Sequence, residues 1–509
     1  MKKLAMISLS ALAVLCTPSL RGKADDGPPA RGAHASSAPR WYQRYRPDLH
    51  TAPSAAEATA NPTPTLNLIA GGVGYHGGAV MQGYKAYTIF WAPAAHSIPS
   101  NYQALINRWF DDVGGSSLLN IATQYFQFAP PTYPFANVQN VSSLGATWLD
   151  SFNPYPHAGS AADPLLDSDI QAEVQRAITT NAWPNGGTDV EYLVYTASGI
   201  ESCFTAAKTS CTPGVPGVSA DQQYLGYHDF FGASHTTIYA NLPYAATWVS
   251  LGNFISPNGV PAADLEIDVT SHEQFESMTD PTLSAWSSDA DGEEIADRCV
   301  GTTGALAADG SNVTLNGHPY FVQSEWSNAQ AGCALGLLCS TQPKTGCKIP
   351  TKSRASLLQL KISAAAKKNA LTWNWKKGAA TSLADFGDPL TTTTYGLCVY
   401  DEIDGNPILL MDVVAPAGSG WAKTATGFKY TNKTPTGNEL QRVTLHAAGA
   451  GRAQITMSGK GAGLPMPILP LMQTPKVIVQ LQNSAGVCWG ADYSTATTNS
   501  STQFKAKSD

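Results

Sequence analysis

The chain has 509 residues, of which 14% are charged, with 45 glycines, 34 prolines and nine cysteines. That length supports two or three domains with adequate cores, and the glycine and proline content calls for many turns and irregular connections. A formal charge of −7, made more negative once a leader carrying Lys2, Lys3, Arg21 and Lys23 is removed, argues against nucleic acid or an anionic membrane as partner.

Residues 1–24 read as an export signal. Lys2 and Lys3 form its positive start, Leu4 to Leu15 its apolar core, and Gly22-Lys23-Ala24 offers small residues for cleavage. The apolar run is too short to span a bilayer, and Leu15 before Cys16 is a poor lipidation signal. The mature protein is therefore expected to be secreted or periplasmic, with no transmembrane segment. Residues 25–65 are rich in Ala, Pro, Ser and Arg without apolar periodicity, which fits a disordered linker or propeptide.

A folded pattern begins near Leu66. Ala86 to Trp91 and Val190 to Tyr195 read as strands, while Tyr102 to Asp112 and Leu166 to Thr179 carry helical apolar spacing. His76 sits beside Gly77 and Gly78 in a turn, and His318 follows Asn316-Gly317 in a hairpin turn; neither is a strong site candidate. His228 and His235 each offer an oxyanion stabiliser, although a structural role is commoner for a lone histidine.

The segment Thr270-Ser271-His272-Glu273-Gln274-Phe275-Glu276 carries the chemistry. Residues i and i+4 lie one above the other on a helix, so His272 and Glu276 can share a cation while Glu273 faces a water molecule on it. The arrangement resembles the HExxH zinc peptidases, with Glu276 in place of the second histidine; a solvated amphipathic helix is the competing reading. Ser271 and Gln274 suggest a capping-box start and Pro281 a stop, giving a helix of about 9 to 10 residues. Downstream, Asp291-Gly292-Glu293-Glu294-Ile295-Ala296-Asp297 offers a third ligand. Glu294 is preferred, with Glu293, Asp280 and Asp297 as alternatives; in thermolysin-like enzymes an Asp after such a Glu orients a ligating histidine.

Setting Cys16 aside leaves eight cysteines, for which disulfides are the default in an oxidising compartment. Proximity suggests Cys203 with Cys211, Cys299 with Cys333, Cys339 with Cys347, and Cys398 with Cys488. Beyond Lys352 short β-type runs recur between turns: Leu357 to Ile362, Leu371 to Trp375, Leu397 to Tyr400, Gln441 to His446, Ala453 to Met457 and Val477 to Leu481. Trp373, Trp375, Trp421 and Trp489 could stack on sugars, although packing in the core is the commoner use of tryptophan.

Tyr75-His76-Gly77-Gly78, Tyr87 to Trp91, Ser271 to Glu276, Thr279-Asp280-Pro281, Glu294 to Cys299, Asn316-Gly317 and Val322 to Asn328 resemble, in this order, the bacterial branch of the EXORDIUM-like, phosphate-induced protein family. The likeness covers roughly residues 70–335. It implies an exported, cell-surface or extracellular protein with a zincin-like architecture.

The expected organisation is an α+β zincin-like domain over 66–350 followed by an all-β sandwich domain over 351–509. The expected function is a secreted zinc-dependent hydrolase, most simply a peptidase acting on a protein or peptide. His272, Glu276 and Glu294 hold Zn2+ in this scheme, and Glu273 is the general base. The alternatives are a non-catalytic extracellular binding protein that takes a cell-wall glycan, and a structural Ca2+ held by the carboxylates. There is no Gly-x-Ser-x-Gly elbow and no glycine-rich phosphate loop, which disfavours serine hydrolase and nucleotide chemistry.

Overall fold

Near-continuous burial along Tyr84–Trp91, where only Lys85 is exposed, places this strand inside a sheet covered on both faces. The computed structural model, which describes residues 65–232 and 236–509, puts it in a five-stranded sheet. The spatial order is Ser142–Asp150, Tyr84–Trp91, Val190–Thr196, Thr237–Leu242, Tyr227–Phe231. The first four run parallel, and Tyr227–Phe231 closes the sheet as an antiparallel edge. The expected leader, residues 25–64 of the expected 25–65 linker and His235 lie outside the described residues. The fold is mixed α+β, dominated by sheets, with three α-helices among the described residues: Ser100–Val113, Asp167–Asn181 and Pro261–Thr279.

The last of these corrects the expected short helix. It spans 19 residues, so Ser271 is a buried internal residue and caps nothing. Pro261 supplies the start, since its fixed φ suits the first helical position. The preceding turns carry no helical stripe in the sequence because Asp264, Glu266 and Asp268 alternate with Leu265, Ile267 and Val269, all of them buried. Asn258 Nδ2 donates to Asp264 Oδ1 at 2.7 Å, the Ala245 N–H donates to Glu266 at 2.9 Å, and the Gln323 N–H donates to Asp268. Carboxylates satisfied in this way can be buried, but they erase the apolar stripe by which a helix is recognised. The helix is therefore buried almost along its length, and Glu273 and Glu276 are not solvated.

After residue 355 two antiparallel sheets follow. One has eight strands, ordered Trp421–Thr424, Gly427–Thr431, Arg442–His446, Ala453–Lys460, Ala370–Gly378, Ser356–Lys361, Gln503–Lys507 and Ala496–Ser500. The other has four: Asn406–Ala415, Tyr395–Ile403, Val477–Asn483 and Cys488–Tyr493. Trp373 Nε1 donates to Tyr493 Oη at 2.9 Å and Trp375 Nε1 to the Gly490 carbonyl at 3.1 Å, so the two layers meet through tryptophan. Trp373, Trp375, Trp421 and Trp489 are all buried, which rules out an exposed sugar platform built from them. Among the described residues no helix is long and apolar enough to cross a membrane.

Four disulfides form. Cys203–Cys211 and Cys299–Cys333 are as expected, but the other two are exchanged: Cys339 joins Cys398 and Cys347 joins Cys488. The segment between Cys339 and Cys347 lies against the four-stranded sheet instead of folding back. The Lys344 N–H donates to Gln480 at 2.9 Å and the Lys348 N–H to the Cys488 carbonyl at 2.9 Å, so each cysteine meets a different strand. Removing the Cys347–Cys488 link, which spans 141 residues, by the double change Cys347→Ser and Cys488→Ser should cost about 2–4 kcal/mol. Denaturant unfolding of this variant checks the cost, and non-reducing peptide mapping checks both pairings.

Candidate metal centre

Three elements converge on the Pro261–Thr279 helix. The antiparallel edge strand Tyr227–Phe231 carries His228, the turn before and through Asp297–Cys299 carries Glu294 and Asp297, and the strand Glu325–Ser327 carries Glu325. The Cys299–Cys333 disulfide and the Trp326 N–H, which donates to the Ile295 carbonyl at 2.9 Å, clip the last two together.

On the helix, His272 Nε2 lies 3.3 Å from Glu276 Oε1, as i, i+4 spacing dictates, and 3.7 Å from Asp297 Oδ1. The Asp297 N–H donates to Glu276 Oε1 at 3.0 Å. On the other side, His228 Nε2 lies 3.8 Å from Glu276 Oε2 and 3.4 Å from Glu294 Oε2. Two sets of possible ligand atoms result, each within 4.8 Å of one another: His272, Glu276 and Asp297, and His228, Glu273 and Glu276. Gln323 Oε1 approaches His272 Nδ1 at 3.3 Å while its amide donates to the Ala296 carbonyl at 2.9 Å, which orients the ring.

The preferred third ligand of the sequence reading is thus displaced. Glu294 faces His228, and Asp297 completes the His272 and Glu276 set. Glu293 is half-buried and belongs to neither set. Asp280 is buried and belongs to neither set: its Oδ1 accepts the N–H groups of Ser284 and Ala285, at 2.5 and 2.6 Å, and so organises the turn after the helix, while its charge acts on His228 and Glu294. His76 lies at the surface by Asp289, and His318 pairs with Asp112 at 2.6 Å. Glu325 had no role in the sequence reading, since one buried carboxylate in a three-residue strand leaves no periodic signal.

Burial dominates the electrostatics. It raises Glu273 to about 8 and Asp297 to about 7, and pushes Glu294 and Glu325 well above the carboxylate range. Burial acts the same way on Glu276, but the His272 and His228 imidazoles hold it below its ordinary value. Burial alone would depress both histidines; the facing carboxylates, Glu294 for His228 and Glu276 for His272, raise them well above it. Glu294 Oε1, both oxygens of Glu325 and His228 Nδ1 have no hydrogen-bond partner among the described residues.

No family model matches this chain, and no curated protein matches it. Two solved structures of OgpA from Akkermansia muciniphila are remote neighbours. The wild-type protein aligns at 7% identity and a TM-score of 0.21, over 82% of this chain and 94% of that one. The catalytically inactive protein, in complex with an O-glycopeptide (glycodrosocin), aligns at 8% and 0.19, over 82% and 93%. At these scores neither fold nor activity transfers, and the functional reading rests on the residues of this chain.

One buried acid on the same helix gives a test of the electrostatics away from the centre. Glu266 is raised from 4.5 to about 8, chiefly by burial and despite the Ala245 N–H. A carboxyl raised in the folded state contributes stability that is intact below its unfolded value and is lost as pH climbs through its folded value. The parent protein should therefore lose stability between about pH 4.5 and pH 8 more steeply than Glu266→Gln, by up to one proton equivalent in slope. Denaturant midpoints at several pH values across this range measure the difference.

Proposed function

We propose that this protein is an exported, metal-dependent hydrolase of peptide substrates, built on a zincin-like scaffold and related to the bacterial EXORDIUM-like proteins. The observation that carries the reading is the buried convergence of two imidazoles and five carboxylates, Glu273, Glu276, Glu294, Asp297 and Glu325, around one helix. Among the described residues Glu276, Glu294 and Asp297 form ion pairs with histidine and with no Lys or Arg. So much buried negative charge calls for protons or a cation. Imidazole nitrogen mixed with carboxylate oxygen suits zinc better than calcium, which takes oxygen ligands. The disulfides support an oxidising address.

In this reading His272, Glu276 and Asp297 hold the ion, and Gln323 fixes the His272 ring. A divalent ion there supplies Lewis acidity to a carbonyl oxygen and to bound water. Glu273, next in sequence and within 4.8 Å of Glu276, would take the proton of the attacking water and return it to the leaving amine. His272 is the most open of the set, with 15% of its side chain exposed. A non-catalytic binding protein on the same scaffold is the second reading, favoured by the burial of Glu273, which is only 3% exposed.

Elemental analysis of the mature chain should find bound zinc, lost in His272→Ala. Glu273→Gln should keep the metal and lower peptide hydrolysis by about 10²–10⁴-fold. A metal-free parent would remove the hydrolase reading; zinc without turnover in the parent would favour the binding protein.

A further inference from the structure

The edge strand Tyr227–Phe231 reaches the long helix through a residue with no side chain. Gly226, buried immediately before the strand, lies against Val269 and Glu273, which stand one turn apart on the same face of the helix, and against Leu242 at the end of the adjacent strand. A methyl group at this position would stand 2.7 Å from Val269 Cγ1, 2.9 Å from Glu273 Oε1 and 3.2 Å from Leu242 Cδ2, inside the roughly 3.5 Å at which such atoms rest in contact. The backbone does not call for glycine here, since Gly226 is not among the residues with a left-handed φ. Space is therefore what the missing side chain provides, and part of that space holds the carboxylate of Glu273.

We propose that Gly226 is a positioning residue for Glu273, keeping its carboxylate beside His228 and Glu276. This rests on the hydrolase reading above, in which Glu273 carries the proton, and deepens it. The three atoms that a methyl group would meet are all ends of side chains, so alanine is accommodated by moving them and not by breaking backbone contacts. Val269 is β-branched, and a helix leaves such a side chain about one rotamer. Glu273 has more rotatable bonds and is the side chain that gives way. Its ligand atom lies within 4.8 Å of those of His228 and Glu276, and moving the carboxylate changes its place relative to both. Misplacing a reacting group by about 1 Å costs about 10²-fold in rate.

The test is a double-mutant cycle on the purified, zinc-loaded chain. Gly226→Ala should keep zinc and KM and lower kcat for peptide hydrolysis by about 10–10²-fold. The same change in a Glu273→Gln background should lower the residual rate no further, because the group it displaces no longer carries a proton. An equal fall in both backgrounds makes Gly226 a packing residue and overturns the proposal, as does an unchanged kcat or a loss of zinc in Gly226→Ala. Each of these results leaves the hydrolase reading standing, while a parent without peptide hydrolysis overturns both. Should Gly226→Ala fail to fold, Val269→Ala makes room beside the new methyl group, and the same cycle run in that background decides.

Discussion

The Glu276 carboxylate, set between two imidazoles and fastened by the Asp297 N–H, is the constraint around which the first half of the molecule is arranged. A carboxylate at 4% exposure is stable only where its charge is met. The edge strand, the long helix and the acidic turn must therefore arrive together, because each supplies one part of what Glu276 needs.

The surroundings keep that arrangement rigid. Trp109 Nε1 donates to Gln274 Oε1 at 2.8 Å, and the Gln274 amide donates to Ser142 Oγ at 3.1 Å, so the helix is pinned to a neighbouring helix and to the sheet on the side opposite His272. Gln323 links the His272 ring to the Ala296 carbonyl, and its backbone N–H reaches Asp268 one turn earlier. The Cys299–Cys333 link keeps the acidic turn from drifting. Polar groups satisfied on every side are what permit a helix with so many carboxylates to be buried.

The tryptophan-lined sheets that follow are tied to the first part by polar and covalent links together. Gln330 Nε2 and the Leu338 N–H both donate to Asp412 Oδ2, at 2.9 and 3.0 Å, next to the Cys339–Cys398 bond. The Ile468 N–H returns to the Leu68 carbonyl at 3.0 Å. The sheets before and after residue 350 share no strand, and the strap from Gln330 to Lys348 runs between them.

What local pattern could encode was legible in the sequence. The strands Tyr84–Trp91 and Val190–Thr196, the helices Ser100–Val113 and Asp167–Asn181 and most later β-runs follow from apolar periodicity. The i, i+4 pair of His272 and Glu276 follows from helix geometry alone. The tertiary structure decided the rest. That Asp297 approaches His272 while Glu294 faces His228 depends on how the turn lies across the helix. That His228 faces Glu276 depends on an antiparallel edge strand, and that Glu325 is buried nearby depends on a short hairpin. The exchanged disulfides depend on a strap running along a sheet, which chain separation does not report. Periodicity records the face a residue presents within its own element; partners from other elements are set by packing.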